Sequence, residues 1–162
     1  MSTPRADRPA FHESYGIWAA DQGAGLLGWE WAVARLERAH NYWVASSSPE
    51  GKPHAAPIWG LWLEGVFYFS TARASRKGRN LAANPQAVVH LESGDEVVVL
   101  EGAVQEVSDK KELARLAAAY GEKYTLEIKF EDPGSVVYAL QPKRGFAWRE
   151  SDYPESATRF SF

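Results

Sequence analysis

The apolar positions of this chain fall into short blocks that switch between a helical and a strand period. From Trp29 to His40, residues Trp29, Ala32, Val33, Leu36 and Ala39 recur at three- and four-residue spacing around Arg35, Glu37 and Arg38, which predicts an amphipathic helix. Tyr42 to Ala45 is a β-prone run, and Pro49-Glu50-Gly51-Lys52 supplies a turn, so a hairpin follows. Its second limb, Pro53 to Leu63, carries prolines at 53 and 57, the mark of an edge strand or a bulge. After a turn at Glu64-Gly65, Val66 to Ser70 reads as a strand. Ser75 to Asn84 reads as a short helix closed by Asn84-Pro85. Ala87 to Leu91 and Glu96 to Val107 are further strands, and Val97 to Leu100 suits burial on both faces. Ser108 and Asp109 cap a second amphipathic helix, carried by Leu113, Leu116, Ala117 and Tyr120 and expected to stop at Gly121. Two last strands, near Val136 to Gln141 and Gly145 to Arg149, are expected to be joined by a turn at Pro142-Lys143-Arg144.

Residues 1–27 lack a period, yet Phe11, Tyr15, Ile17, Trp18, Leu26 and Leu27 need burial, so this segment reads as an arm docked on a single domain of residues 28–162. The pattern as a whole predicts a mainly β fold, a small antiparallel barrel with inserted helices.

Composition narrows the chemistry. A chain of 162 residues without cysteine has no disulfide framework, thiolate metal site, iron–sulfur cluster or cysteine nucleophile. Neither a run of about 20 apolar residues nor an apolar leader is present, so a cytoplasmic protein without membrane contact is expected. The formal charge of −3 gives no overall basic field, which argues against a nucleic-acid partner. No G-x-S-x-G or H-E-x-x-H motif seats a hydrolytic centre, and no metal site is expected. Seven tryptophans supply more flat aromatic surface than packing alone uses.

Against that acidic background, Arg73, Arg76, Lys77 and Arg79 crowd one short stretch. If Ser75 caps the helix, Arg76 and Lys77 lie in its first turn, where free N–H groups and the helix dipole already make the potential positive. An anion would relieve this, and Ser70 and Thr71 add hydroxyls on the strand leading in. A solvated charged face is the competing reading. Upstream, alternation places His54, Ala56 and Ile58 on one strand face and Ala55, Pro57 and Trp59 on the other. Such small residues leave backbone open to a flat heteroaromatic ring, or simply make an edge strand that resists pairing.

Gly-Lys-Pro-His-Ala-Ala-Pro-Ile-Trp at 51–59, Val-Phe-Tyr-Phe-Ser-Thr at 66–71 and Ser-Arg-Lys-Gly-Arg-Asn-Leu-Ala-Ala-Asn-Pro at 75–85 together resemble the pyridoxamine 5′-phosphate oxidase-like family of flavin and deazaflavin oxidoreductases. The resemblance implies a six-stranded split β-barrel, a homodimer with cofactor sites in its interface, and bound FMN or, alternatively, the deazaflavin coenzyme F-420. It places the phosphate clamp on Arg76 and Lys77 with Ser70, Thr71 and Ser75 beside it. Arg79 and Asn80 match positions used by deazaflavin-binding members. His54, Ala55, Ala56, Pro57, Ile58 and Trp59 would line the ring, and Glu96 would reach in from the neighbouring subunit.

The sequence departs from true pyridoxamine phosphate oxidases at His54 and Glu96, where they carry Arg and Gln. It also lacks their C-terminal Arg and His motif, to which Arg159 is a partial counterpart. The expected activity is therefore hydride transfer between bound FMN and a small planar or hydrophobic substrate. Arg73 and Arg79 would suit the longer acidic tail of the deazaflavin. A non-catalytic flavin- or haem-binding protein is the further alternative, with His90 or His54 as the haem ligand.

Overall fold

In the computed structural model, which describes residues 3–17 and 24–162, nine strands join into one antiparallel sheet. They are β1 (Arg5–Asp7), β2 (Tyr42–Ser47), β3 (Pro53–Ile58), β4 (Leu61–Leu63), β5 (Val66–Ala72), β6 (Gln86–His90), β7 (Glu96–Glu106), β8 (Ser135–Arg149) and β9 (Thr158–Ser161). Between them lie α1 (Trp29–Arg38), α2 (Arg76–Ala83), α3 (Lys110–Tyr124) and the single turn α4 (Tyr153–Ser156). Trp18, read above as part of the arm, lies outside the described residues.

The six longest strands run in the order β3-β2-β6-β7-β8-β5, an open curved sheet of the expected mainly β class. The sheet forks at β8. Its first half pairs with β5, and its second half pairs with β9, which carries β1 on its far side. Residues 5–7, part of the expected arm, are thus a strand of the sheet. β3 ends the path, so Pro53 and Pro57 do sit on an edge.

Alternation sorts the side chains into two cores. Tyr42, Val44, Phe67, Phe69, Val89, Leu100 and Leu140 point into the bowl of the sheet, where Ala32 and Leu36 of α1 close it. On the other side of β5 and β8, α3 lays Leu116, Tyr120 and Tyr124 on Val66, Tyr68 and Val137.

Four boundaries differ from the sequence reading. The last two strands are one: β8 continues through Pro142, which faces Gly102 where the β7–β8 register shifts, so the missing N–H falls at a bulge. Gly102 is required there, because a Cβ would stand 2.4 Å from the Gln141 carbonyl oxygen. Helix α3 passes Gly121 and stops at Tyr124, capped by Thr125 in the left-handed region at φ 55°, with its N–H returned to the Gly121 carbonyl. The limb from Pro53 to Leu63 breaks at Trp59-Gly60, where Gly60 lies flat on the Phe67 ring. Helix α1 ends at Arg38, two residues short of His40. Among the described residues no helix is long and apolar enough to cross a membrane.

Register also aligns the outward side chains. Pro57, Trp43, His90, Val99 and Phe146 form one row across β3, β2, β6, β7 and β8. The Trp43 and His90 rings lie parallel within 3° at 6.3 Å, and Phe11 stacks on Phe146 at 5.8 Å.

Candidate functional site

Helix α2 begins where β5 ends and where β3 starts, and its N-terminus gathers most of the residues singled out above. Ser75 is the N-cap, its Oγ accepting the Gly78 N–H at 2.9 Å. Thr71 Oγ1 lies 3.0 Å from Ser75 Oγ, so the strand hydroxyl and the cap form a unit. The Arg79 N–H returns to the Ser75 carbonyl at 3.0 Å. That leaves the N–H groups of Arg76 and Lys77 as the first-turn donors without a backbone partner among the described residues.

The side chains make the excess of positive charge larger. Lys77 is only 8% exposed as a residue and meets no hydrogen-bond or ion-pair partner among the described residues, its aliphatic stem buried while Nζ keeps contact with solvent. Burial pushes its pKa below the ordinary lysine value. Arg76 donates to the Pro53 carbonyl oxygen at 3.2 Å, which ties α2 to the start of β3 and leaves the guanidinium charge uncompensated. Gly78 lets the helix lie on the preceding turn, since a Cβ would stand 2.4 Å from the Ala72 carbonyl oxygen. Asn80, also buried, faces inward and donates to Ser46 Oγ at 3.2 Å.

The other two arginines are engaged. Arg73 holds both carboxylate oxygens of Glu106, at 3.0 Å for the first, and that bond keeps the Glu106 pKa below its ordinary value. Arg79 turns back onto the Ala74 carbonyl oxygen.

β3 runs from this corner. His54 and Ala56 are half-buried and Ile58 is buried on its inward face, while Ala55, Pro57 and Trp59 look outward. Trp59 remains 44% exposed although its ring stacks on Tyr124 at 4.6 Å. The corner after it is gripped from α3. Tyr120 Oη donates to the Trp59 carbonyl oxygen at 2.9 Å. Lys123 Nζ donates to the Gly60 carbonyl oxygen at 3.1 Å and to Tyr42 Oη at 2.7 Å. Tyr124 Oη accepts the Gly60 N–H at 2.9 Å.

Thr71, Ser75, Arg76, Lys77, Arg79 and Asn80 are therefore brought together beside the start of β3, whereas Ser70 falls by strand alternation on the α3 side of β5 with Val66 and Tyr68, away from Thr71. Glu96 is not among them. It opens β7, at the opposite end of that strand from Glu106, where Arg35 of α1 bonds it and holds its pKa below the ordinary glutamate value. Arg159 lies on β9 and binds both oxygens of Asp7, at 2.7 and 2.8 Å.

Some residues of the site were read differently in the sequence. Lys123, to which the sequence alone assigns no partner, is held by Tyr42 and Gly60. His40 caps no helix, and its ring meets Trp59 and Tyr124 edge-on. Ser46 and Glu106 carried no local signal, since each acquires its partner only when the strands pair. Tyr120 was visible on a helix face but not as a grip on the Trp59-Gly60 corner, and Tyr124 lies past the stop expected at Gly121.

What assembles here is a helix N-terminus with two unpartnered N–H groups and two cationic side chains, a candidate anion site, with an open strand and an exposed aromatic ring along one side. No group of three or more His, Asp or Glu suited to a metal ion occurs among the described residues.

Comparison with known proteins gives the same architecture. Among solved structures, an F-420 reductase superposes with a TM-score of 0.56 at 20% identity, over 69% of this chain and 93% of that one. General Stress Protein 26 from Bacillus anthracis gives 0.60 at 19% identity, over 73% and 91%. The haem storage protein HutZ from Vibrio cholerae gives 0.54 at 18% identity, over 65% and 82%. At these identities the likeness concerns the split-barrel fold. No curated protein matches by sequence. The profile of the pyridoxamine 5′-phosphate oxidase family matches residues 29–149, from the first residue of α1 to the last of β8, and the chain belongs to that family.

Proposed function

We propose that the N-terminus of α2 holds the phosphate of FMN, that the ring system lies along β3, and that the protein is an oxidoreductase acting on a small planar or hydrophobic substrate. The observation that carries this reading is the first turn of α2: two N–H groups without a partner among the described residues, the Lys77 side chain largely drawn out of water with no counter-ion, and Arg76 without a carboxylate partner converge on one point, an arrangement that suits an anion. A bound flavin would supply hydride transfer at its ring. The chain's own residues bind, orient and shield. The first turn of α2 fixes the phosphate. The open backbone of β3, with only Ala55 and Pro57 outward, leaves room for a flat ring to lie close. Trp59, supported by Tyr124, Tyr120 and Lys123, offers the aromatic surface a planar substrate would stack on.

FMN is preferred over the deazaflavin because Arg73, a cation that a longer acidic tail would use, is already neutralised by Glu106. The outward row from Pro57 to Phe146 supports a second copy covering that face, so that each site is completed by the other chain. One observation favours a second reading. His90 Nδ1 lies 2.7 Å from the Leu91 carbonyl oxygen, which fixes the proton on Nδ1 and leaves the Nε2 lone pair on the outward face, available to a haem iron.

A visible spectrum of the purified protein, followed by titration with FMN while tryptophan fluorescence is read, tests these. Micromolar quenching is expected, weakened roughly hundredfold in the double variant Arg76→Ala, Lys77→Ala. Absence of any quenching, or an unaltered double variant, ends the flavin reading. A Soret band lost in His90→Ala moves the function to haem.

A further inference from the structure

The ion pair between Arg73 and Glu106 has features that a structural salt bridge does not need. Arg73 stands two residues before the N-cap of α2, within one tight turn of the anion site, as the Ser75 N–H bonded to the Ala72 carbonyl at 3.0 Å shows. Both partners are open to water, at 48% and 44% exposure, so the pair is worth little to stability and can exchange partners at low cost. Its geometry is nonetheless bidentate, the arrangement by which a guanidinium takes a carboxylate or a phosphate. The pair also forms one wall of a cavity of about 630 Å³ between the ends of β7 and β8 and the start of α3. Val107, Leu113 and Phe130 give that cavity an apolar lining, and Lys110 and Lys129 line it together with the carboxylates Glu131 and Asp132. Glu106 therefore occupies Arg73, the cation that links the first turn of α2 to an adjoining space large enough for a further portion of a ligand.

We propose that Glu106 determines cofactor choice: by neutralising Arg73 it restricts the site to a cofactor that ends at its first phosphate, and it bars one with further anionic groups beyond that phosphate. This rests on the cofactor reading above and adds a specificity residue to it. A monophosphate is satisfied by the α2 N–H groups, Arg76 and Lys77, and leaves the Arg73–Glu106 pair intact. A second anionic group meets the Glu106 carboxylate, and must displace it from Arg73 before entering the cavity. Substituting Glu106 by its neutral amide removes the carboxylate that competes for Arg73, leaves Glu131 and Asp132 farther along the cavity, and releases the guanidinium for that second group.

The test compares FMN with F-420, whose tail carries anionic groups beyond its phosphate. Both are titrated into the purified wild type, Glu106→Gln, Arg73→Met and the double variant, with quenching of tryptophan fluorescence as the readout. All four proteins are first matched by circular dichroism and thermal melting, since both positions are exposed. In the wild type FMN is expected to bind more tightly than F-420. Glu106→Gln is expected to tighten F-420 by roughly tenfold while FMN moves by less than about threefold, and the double variant is expected to lose the gain. An affinity ratio unchanged by Glu106→Gln, or a gain that survives in the double variant, overturns the proposal while leaving the flavin reading in place. A wild type that binds neither cofactor overturns the flavin reading itself, and this inference with it.

Discussion

Two lysines show how differently one residue type is used. Lys123 and Lys77 are both drawn out of water, and burial lowers both pKa values, that of Lys123 to about 8. Lys123 has Tyr42 Oη and the Gly60 carbonyl to hold it, whereas Lys77 has nothing among the described residues. The fold explains the first and not the second, which is why the proposed phosphate site includes Lys77. Its partly desolvated charge opposes folding, so Lys77→Met is expected to raise stability by roughly 1 kcal/mol while weakening FMN binding at least tenfold. The direction with pH follows from the lowered pKa. Below the folded-state value both states carry the proton and the variant keeps its full advantage. As pH rises from that value toward the ordinary 10.5 the native lysine is already neutral and the unfolded one is not, so the wild type gains and the advantage closes. Urea unfolding at about pH 6 and about pH 9.5 measures this; an advantage that grows with pH would sink the assignment. Residues 75–80 were legible in the sequence because a cap, a first turn and a charge cluster are local. That Lys77 would be buried, and Arg73 taken by Glu106, was not legible, since both depend on strands far away in the chain.

At the scale of elements, α2 acts through its seat as much as its charges. Gly78 faces backbone, with the Ala72 and Arg73 carbonyl oxygens 2.4 and 2.7 Å from where a Cβ would be, and backbone at a strand end cannot step aside as a flexible side chain can. Gly78→Ala is therefore expected to lift the first turn of α2 off the end of β5, costing roughly 1–3 kcal/mol in urea unfolding and abolishing FMN binding at micromolar protein. A variant that melts lower yet binds FMN normally would show that the seat does not position the site. Elements were read well where their signals are short-range: Ser75 capping α2, Asp109 capping α3 with the Glu112 N–H at 2.8 Å, and β3 marked as an edge by its prolines. They were misread where tertiary contacts overrule the local signal. Gly121 is a plausible helix stop by itself, but Tyr124 has its hydroxyl on Gly60 and its ring on Trp59, and these contacts carry α3 another turn. Pro142 reads as a turn because nothing nearby in sequence reveals Gly102 opposite it.

For the whole molecule, the row Pro57, Trp43, His90, Val99 and Phe146 and the position of Glu96 raise one question. A single copy leaves this largely apolar row at the surface, only partly covered where Phe11 stacks on Phe146. Contiguous apolar surface of this kind is what an interface between chains uses, and we propose that a second copy covers it. Within one chain Glu96 cannot serve the α2 site, because β7 separates it from Glu106 by ten residues, roughly 34 Å at the rise of an extended strand. A two-fold arrangement that buries the row would settle both facts, covering the face and bringing the Glu96 end of one copy toward the α2 end of the other. The wild type is then expected to sediment as a dimer at micromolar concentration. Val99→Lys, which places an unpaired charge in the row of both copies, is expected to weaken association roughly hundredfold or more without lowering the melting temperature of the separated chains. FMN affinity should fall in step with dissociation, because half of each site would leave with the partner. A wild type that runs as a monomer and still binds FMN tightly would refute the shared site, and would require the flavin to be held by the α2 corner and β3 of one chain alone.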